Sequence, residues 1–121
     1  MKYAVLREDE VGISHFEDAE AVLPLKDFVP PAAPLQISDQ IAAEGFVFLT
    51  LPAGWTGVRH RSPHRQIAAI LSGCFRVEAG SGEVREFRAG DLFWMEDTRG
   101  EGHASSAEGG VPVTMIIVQL A

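Results

Sequence analysis

Apolar and polar residues along this chain come in short runs, interrupted by glycine or proline about every ten residues. The runs Lys2 to Leu6, Gly45 to Leu51, Gln66 to Leu71, Cys74 to Ala79, Glu83 to Phe87, Asp91 to Met95, His103 to Ser106 and Val111 to Leu120 have strand length and strand composition. Between them lie Pro52-Ala53-Gly54, Ser72-Gly73, Gly80-Ser81-Gly82, Ala89-Gly90 and Glu108-Gly109-Gly110, each a turn signal. No helical periodicity of comparable strength competes. Short strands at this spacing predict an all-β sandwich or barrel.

The alternation differs between strands. Phe75, Val77 and Ala79 alternate with Cys74, Arg76 and Glu78, as in a hairpin strand with one face to the core. Phe46-Val47-Phe48-Leu49 and Ile67-Ala68-Ala69-Ile70-Leu71 are apolar on both faces, and Val113 to Leu120 nearly so. Such strands need cover inside and outside the barrel, so the pattern predicts a homodimer. From Pro24 to Ile37 the chain carries four prolines within eleven residues. Proline withholds a ladder donor and favours extended geometry, so this segment is expected as a strap. The expected organisation is one domain: residues 1–40 as N-terminal strands and a strap packing on the barrel, and residues 41–121 as the barrel.

The 121 residues are enough for a single core. Seventeen acidic against ten basic residues leave a net charge of −7, which disfavours nucleic acid and anionic membrane surfaces as partners. The lone Cys74 excludes an internal disulfide and reads as a packing residue. The N-terminus lacks a long apolar stretch of the secretory kind, and no run is long enough to span a bilayer, so a cytoplasmic location is expected. No phosphate-binding loop, dinucleotide fingerprint or Ser-His-Asp order is present.

Candidate chemistry concentrates in residues 59–73, RHRSPHRQIAAILSG. On an extended strand His60, Ser62, His64 and Gln66 share parity and would face one side. Arg59, Arg61 and Arg65 are solvated strand-edge charge or, for Arg65, the partner of a ligand carboxylate or phosphate. Asp97 either holds a glycine-rich turn or orients the imidazole of His103. Trp55 and Trp94 read as core or pocket lining. His15, in an N-terminal strand, is edge packing or a pocket residue.

The same residues resemble the cupins, small β-barrels with two short motifs. In the first, Gly54 is followed by five residues and His60, then by Ser62 where a second histidine is usual. Gln66 stands where a glutamate is usual, and Gly73 closes the motif at the usual distance. The second is approximated by Gly90-Asp91 and Glu96-Asp97-Thr98-Arg99-Gly100-Glu101-Gly102-His103, two residues longer and without the usual proline. A narrower resemblance is to small bacterial cupin-domain proteins. It is carried by Ser14-His15-Phe16-Glu17-Asp18, Pro30-Pro31-Ala32-Ala33-Pro34-Leu35, Gly54-Trp55, His60-Arg61-Ser62-Pro63-His64-Arg65-Gln66 and the 96–103 stretch. The resemblance implies a cupin-type jelly-roll barrel and says little about activity.

Two readings of the site follow. In one, His60, His64, Gln66 and His103 hold a divalent metal. Zinc, nickel or copper would suit the imidazoles, and iron would miss the carboxylate that position 66 no longer supplies. The chain would then be a metal-dependent oxygenase, isomerase or cyclase acting on a small organic acid or polyketide-like substrate. In the other, no metal is needed. His60, His64, Arg65, Gln66, Asp97 and His103 bind a small molecule, with His60 and His103 the candidates for any acid–base catalysis. The lost anionic ligand favours the second reading.

Overall fold

The computed structural model describes Met1 to Ala121 throughout and contains only strands and connections. In chain order these are β1 (Lys2–Glu8), β2 (Ser14–Glu20), β3 (Leu25–Lys26), β4 (Leu35–Gln36), β5 (Ala43–Leu51), β6 (Gln66–Ser72), β7 (Cys74–Glu78), β8 (Val84–Phe87), β9 (Leu92–Met95), β10 (Ala104–Glu108) and β11 (Val113–Leu120). A large sheet runs β2-β1-β9-β6-β11-β5, and a smaller one runs β10-β7-β8. All pairings in these two sheets are antiparallel except β1 with β9. The molecule is thus the all-β, jelly-roll type of double-sheet barrel expected of a cupin-like chain.

Alternation explains the core. Leu6 and Phe16, Ala68 and Ile70, Phe93 and Met95, and Met115 and Ile117 project from the large sheet and are buried. Phe75, Val77, Phe87 and Ala107 meet them from the small sheet, and all twelve belong to one apolar cluster. Phe93 is its centre: it stacks on Phe87 at 4.7 Å between ring centroids and touches Phe16 and Phe75 at 6.0 and 6.3 Å. Aromatic pairing of this kind adds to the area that the rings remove from water.

The predicted strands are all present within a few residues. The structure adds β2, which pairs along the whole of β1. Its composition, Ser14-His15-Phe16-Glu17-Asp18-Ala19-Glu20, puts only Ser14 and Phe16 into the buried class, so its apolar signal is too short to stand out. The proline-rich segment forms a two-residue ladder, β3 with β4, that joins neither large nor small sheet. Its apolar side chains Leu25, Phe28, Val29 and Leu35 are exposed. Strand β5 closes one edge of the large sheet, with Phe46, Val47 and Phe48 exposed.

Candidate functional site

The chain between β5 and β6 supplies the site by running along the free edge of the small sheet. Thr56 opposes Ser106 and His60 opposes His103 in isolated antiparallel bridges. Backbone bonds from Gly57 to Ser105, from Ala107 to Trp55 and reciprocally between His60 and His103 fix this register at 2.8–3.0 Å. The two histidines are therefore direct cross-strand neighbours with ring centroids 5.1 Å apart. Gly102 makes the approach feasible. Its φ is +81°, and a Cβ there would land on the His60 carbonyl, so only glycine fits.

The loop Glu96–Gly102 is held from several sides. Glu8 accepts backbone N–H bonds from Arg99 and Gly100, and the Gly102 carbonyl accepts from the Ser14 hydroxyl at 2.7 Å. Within the loop Asp97 is fully buried. Its Oδ2 accepts from Nδ1 of His103 at 2.6 Å, and its Oδ1 accepts from the Ser62 hydroxyl at 2.7 Å. The Asp97 carbonyl also accepts the Ser62 backbone N–H. Burying a carboxylate is costly unless it is fully hydrogen-bonded, and here both oxygens are engaged.

This arrangement sets a tautomer. A carboxylate only accepts, so Nδ1 of His103 carries the hydrogen and Nε2 is the nitrogen left for the interior. His60 obeys the same logic. Its Nδ1 lies 2.9 Å from the Val58 carbonyl, which also can only accept, so its Nε2 is free as well.

Both rings open on a cavity of about 350 Å³ between the sheets, the size of a small-ligand pocket. Its walls are mostly apolar: Leu49, Leu51, Trp55, Phe75, Met95 and Met115 contribute, with His60, Gln66, His103, Ser105 and Gln119 as the polar members. Gln66 opens β6 and faces Met95 on one neighbour and Gln119 on the other. Its amide nitrogen contacts Met95 Sδ at 3.6 Å.

The sequence-derived candidates separate accordingly. His60, Gln66 and His103 come together on the cavity, and Asp97 sits directly behind His103. His64 and Arg65 do not line it. Both are exposed, and Arg65 pairs with Glu96 at 3.1 Å on the outer surface. The strand is interrupted between Arg61 and Arg65, so the common parity expected of His60, Ser62, His64 and Gln66 breaks at Pro63. Arg59 and Arg61 donate to the carbonyls of Gly102 and Arg99. His15 pairs with Glu17 outside the cavity, and its hydrogen bond holds the Glu17 carboxyl below its usual range. Ser62, Ser105 and Met115 were not expected as site residues. Ser105 shares the parity of His103 two residues away, a signal already visible in the sequence.

A divalent ion fits these residues poorly. His60 and His103 offer two imidazole nitrogens and Gln66 a neutral amide oxygen, while Asp97 has both oxygens committed. No group of three His, Cys, Asp or Glu side chains converges anywhere in the molecule. Such a donor set leaves the ion's charge uncompensated.

No protein-family model and no curated protein matches the chain. Among solved structures it is similar to protein NMB1881 from Neisseria meningitidis, at 15% identity over 67% of this chain and 79% of that one, with a TM-score of 0.47. It is also similar to an ethanolamine utilization protein Q (EutQ) from Salmonella typhimurium, at 14% identity over 99% and 95% of the two chains, with a TM-score of 0.46. No helix is long and apolar enough to cross a membrane.

Proposed function

We propose that this chain is a small-molecule-binding, cupin-type domain of the small single-domain bacterial kind its motifs resemble. One observation carries the reading: a buried Asp97 holds His103, which lines a mostly apolar cavity together with His60 and Gln66. A carboxylate sealed behind an imidazole is a costly arrangement for mere packing and a useful one for presenting a polar atom of defined character. His60 and His103 are the residues positioned for proton transfer, should a ligand be turned over.

Metal content of untagged protein purified without chelator tests the reading. Less than about a tenth of an equivalent of transition metal is expected, on the reasoning that neutral donors bind such ions weakly. A stoichiometric metal, lost in both His60→Ala and His103→Ala, overturns the metal-free reading in favour of a metal-dependent enzyme.

The domain is proposed to work as a cytoplasmic homodimer. Phe46 and Phe48 lie exposed on β5, Ile41 just before it, and Leu25, Phe28, Val29 and Leu35 along the strap. Val47 lines the cavity, so a second copy on β5 would lie beside its mouth.

A further inference from the structure

The polar lining of the cavity restricts what can bind there. No Lys, Arg, Asp or Glu side chain lines it. The nearby cations lie outside the lining, Arg65 paired with Glu96 and Arg59 and Arg61 donating to backbone carbonyls. A carboxylate or phosphate would therefore be desolvated without a fixed cationic partner, and an ammonium without a carboxylate. Asp97 cannot serve the ammonium, because it is fully buried behind His103 and does not line the cavity.

Beside the Ser105 hydroxyl and the Gln119 amide, which can donate or accept, the polar lining offers acceptors. Nδ1 of His60 and Nδ1 of His103 each carry the hydrogen toward an oxygen that can only accept, so in the neutral rings two Nε2 lone pairs lie on adjacent imidazoles. Gln66 turns its amide nitrogen to Met95 Sδ, leaving its carbonyl oxygen as a third acceptor. Around them Trp55, Phe75, Met95 and Met115 present aromatic and thioether surface, which suits a flat ring.

Resting on the proposal that the cavity is a ligand site, we infer that it takes a neutral, hydroxylated ring compound of the phenol or catechol class, and not an organic acid or phosphate. The O–H groups donate to Nε2 of His60 and Nε2 of His103, and the ring lies against the apolar wall. The volume of about 350 Å³ suits a molecule of one or two rings.

Calorimetric titration of the full chain tests this, with chelator in the buffer so that stray metal cannot supply the contact. The probes are catechol, its dimethyl ether veratrole, and benzoate. Catechol is expected to bind about tenfold or more tightly than veratrole, which keeps the ring and loses both donors. Benzoate is expected to bind more weakly than catechol. In His60→Leu, made at an exposed rim position, catechol affinity should fall toward that of veratrole while veratrole is little changed. Imidazole ¹⁵N shifts give a second readout: both rings should carry hydrogen on Nδ1, and both Nε2 resonances should move with catechol. Equal binding of catechol and veratrole, tighter binding of benzoate, or hydrogen on Nε2 of either free ring overturns the ligand class while leaving the cavity as a binding site. If none of the probes binds, the class falls and the binding-site proposal falls with it.

Discussion

Asp97 has 0% exposure, and two other side chains depend on it. In Asp97→Ala the Nδ1–H of His103 and the hydroxyl of Ser62 lose their acceptor inside the protein. Each orphaned group costs about 1–3 kcal/mol, so urea denaturation should show a loss of at least about 2 kcal/mol. Asp97→Asn should be milder for stability, because its carbonyl can still accept from one neighbour. Its carbonyl can take the Nδ1–H of His103 while its amide donates to the Ser62 hydroxyl, which can also accept, so the ¹⁵N spectrum should keep the hydrogen on Nδ1. Gly102→Ala should be severe, since the left-handed backbone and the His60 carbonyl both exclude a Cβ; a melting temperature close to that of the parent chain would refute the tight His60–His103 bridge. Cys74 is half-buried and lies outside the apolar core cluster. Burial, followed by its hydrogen bond to Glu86, pushes its thiol pKa up. The thiolate fraction is lower than in a free thiol at any pH near 8, so alkylation by iodoacetamide should be slower than that of a model peptide. At this scale His60, Gln66 and His103 were legible from motif spacing. Ser62 was legible only as a missing ligand, because nothing in its neighbourhood announces that Asp97, 35 residues on, is its acceptor.

The elements show why. Strand β6 carries Gln66, Ala68 and Ile70 inward by simple alternation, and the reading of that strand needed nothing beyond its own residues. The preceding stretch is different. Residues 55–60 take strand-like geometry only because β10 offers a free edge, and the alternation ends at the Pro63 turn. His64 is thereby released to solvent, although its sequence parity matches that of His60. Strands β1 and β2 stabilise the site from behind: Glu8 clamps the Arg99 and Gly100 amides, and Ser14 holds the Gly102 carbonyl. Glu8→Ala should accordingly loosen the 96–102 loop. Faster amide exchange at Arg99, Gly100 and His103, with unchanged exchange in β7, is the expected signature. In the sheet interior Phe93→Ala should cost about 3–5 kcal/mol, the range for a large aromatic removed from a packed core.

For the whole molecule, the question is what covers β5 and the strap. Phe48 is 78% exposed and Phe46 60% exposed, and the two rings stack edge to face on an open strand. A monomer in solution would hold this patch against water, a configuration that usually marks an interaction surface. Light scattering on the full chain should return twice the mass of 13.1 kDa. Phe46→Asp with Phe48→Asp should shift it to the monomer without loss of the core, read as retained cooperative unfolding. A monomer in the parent chain refutes the homodimer. The double-sided apolar composition that predicts this association was plain in the sequence, yet which strand would be left open was not. Strands β6 and β11 have the same character but are flanked by neighbours, whereas β5 has one only on the β11 side.

Short-range pattern alone determined the all-β class, most of the strands and the turn glycines, which follow from periodicity acting between residues close in the chain. The resemblance to the cupin motifs put forward His60, Gln66 and His103 together as site candidates. The tertiary structure decided the rest: the sealing of Asp97 behind His103, the tautomer of both imidazoles, the loss of His64 and Arg65 from the cavity, and the exposure of β5. Each of these is set by contacts between segments far apart in sequence, where burial and hydrogen-bond geometry, and not local composition, determine what a side chain meets.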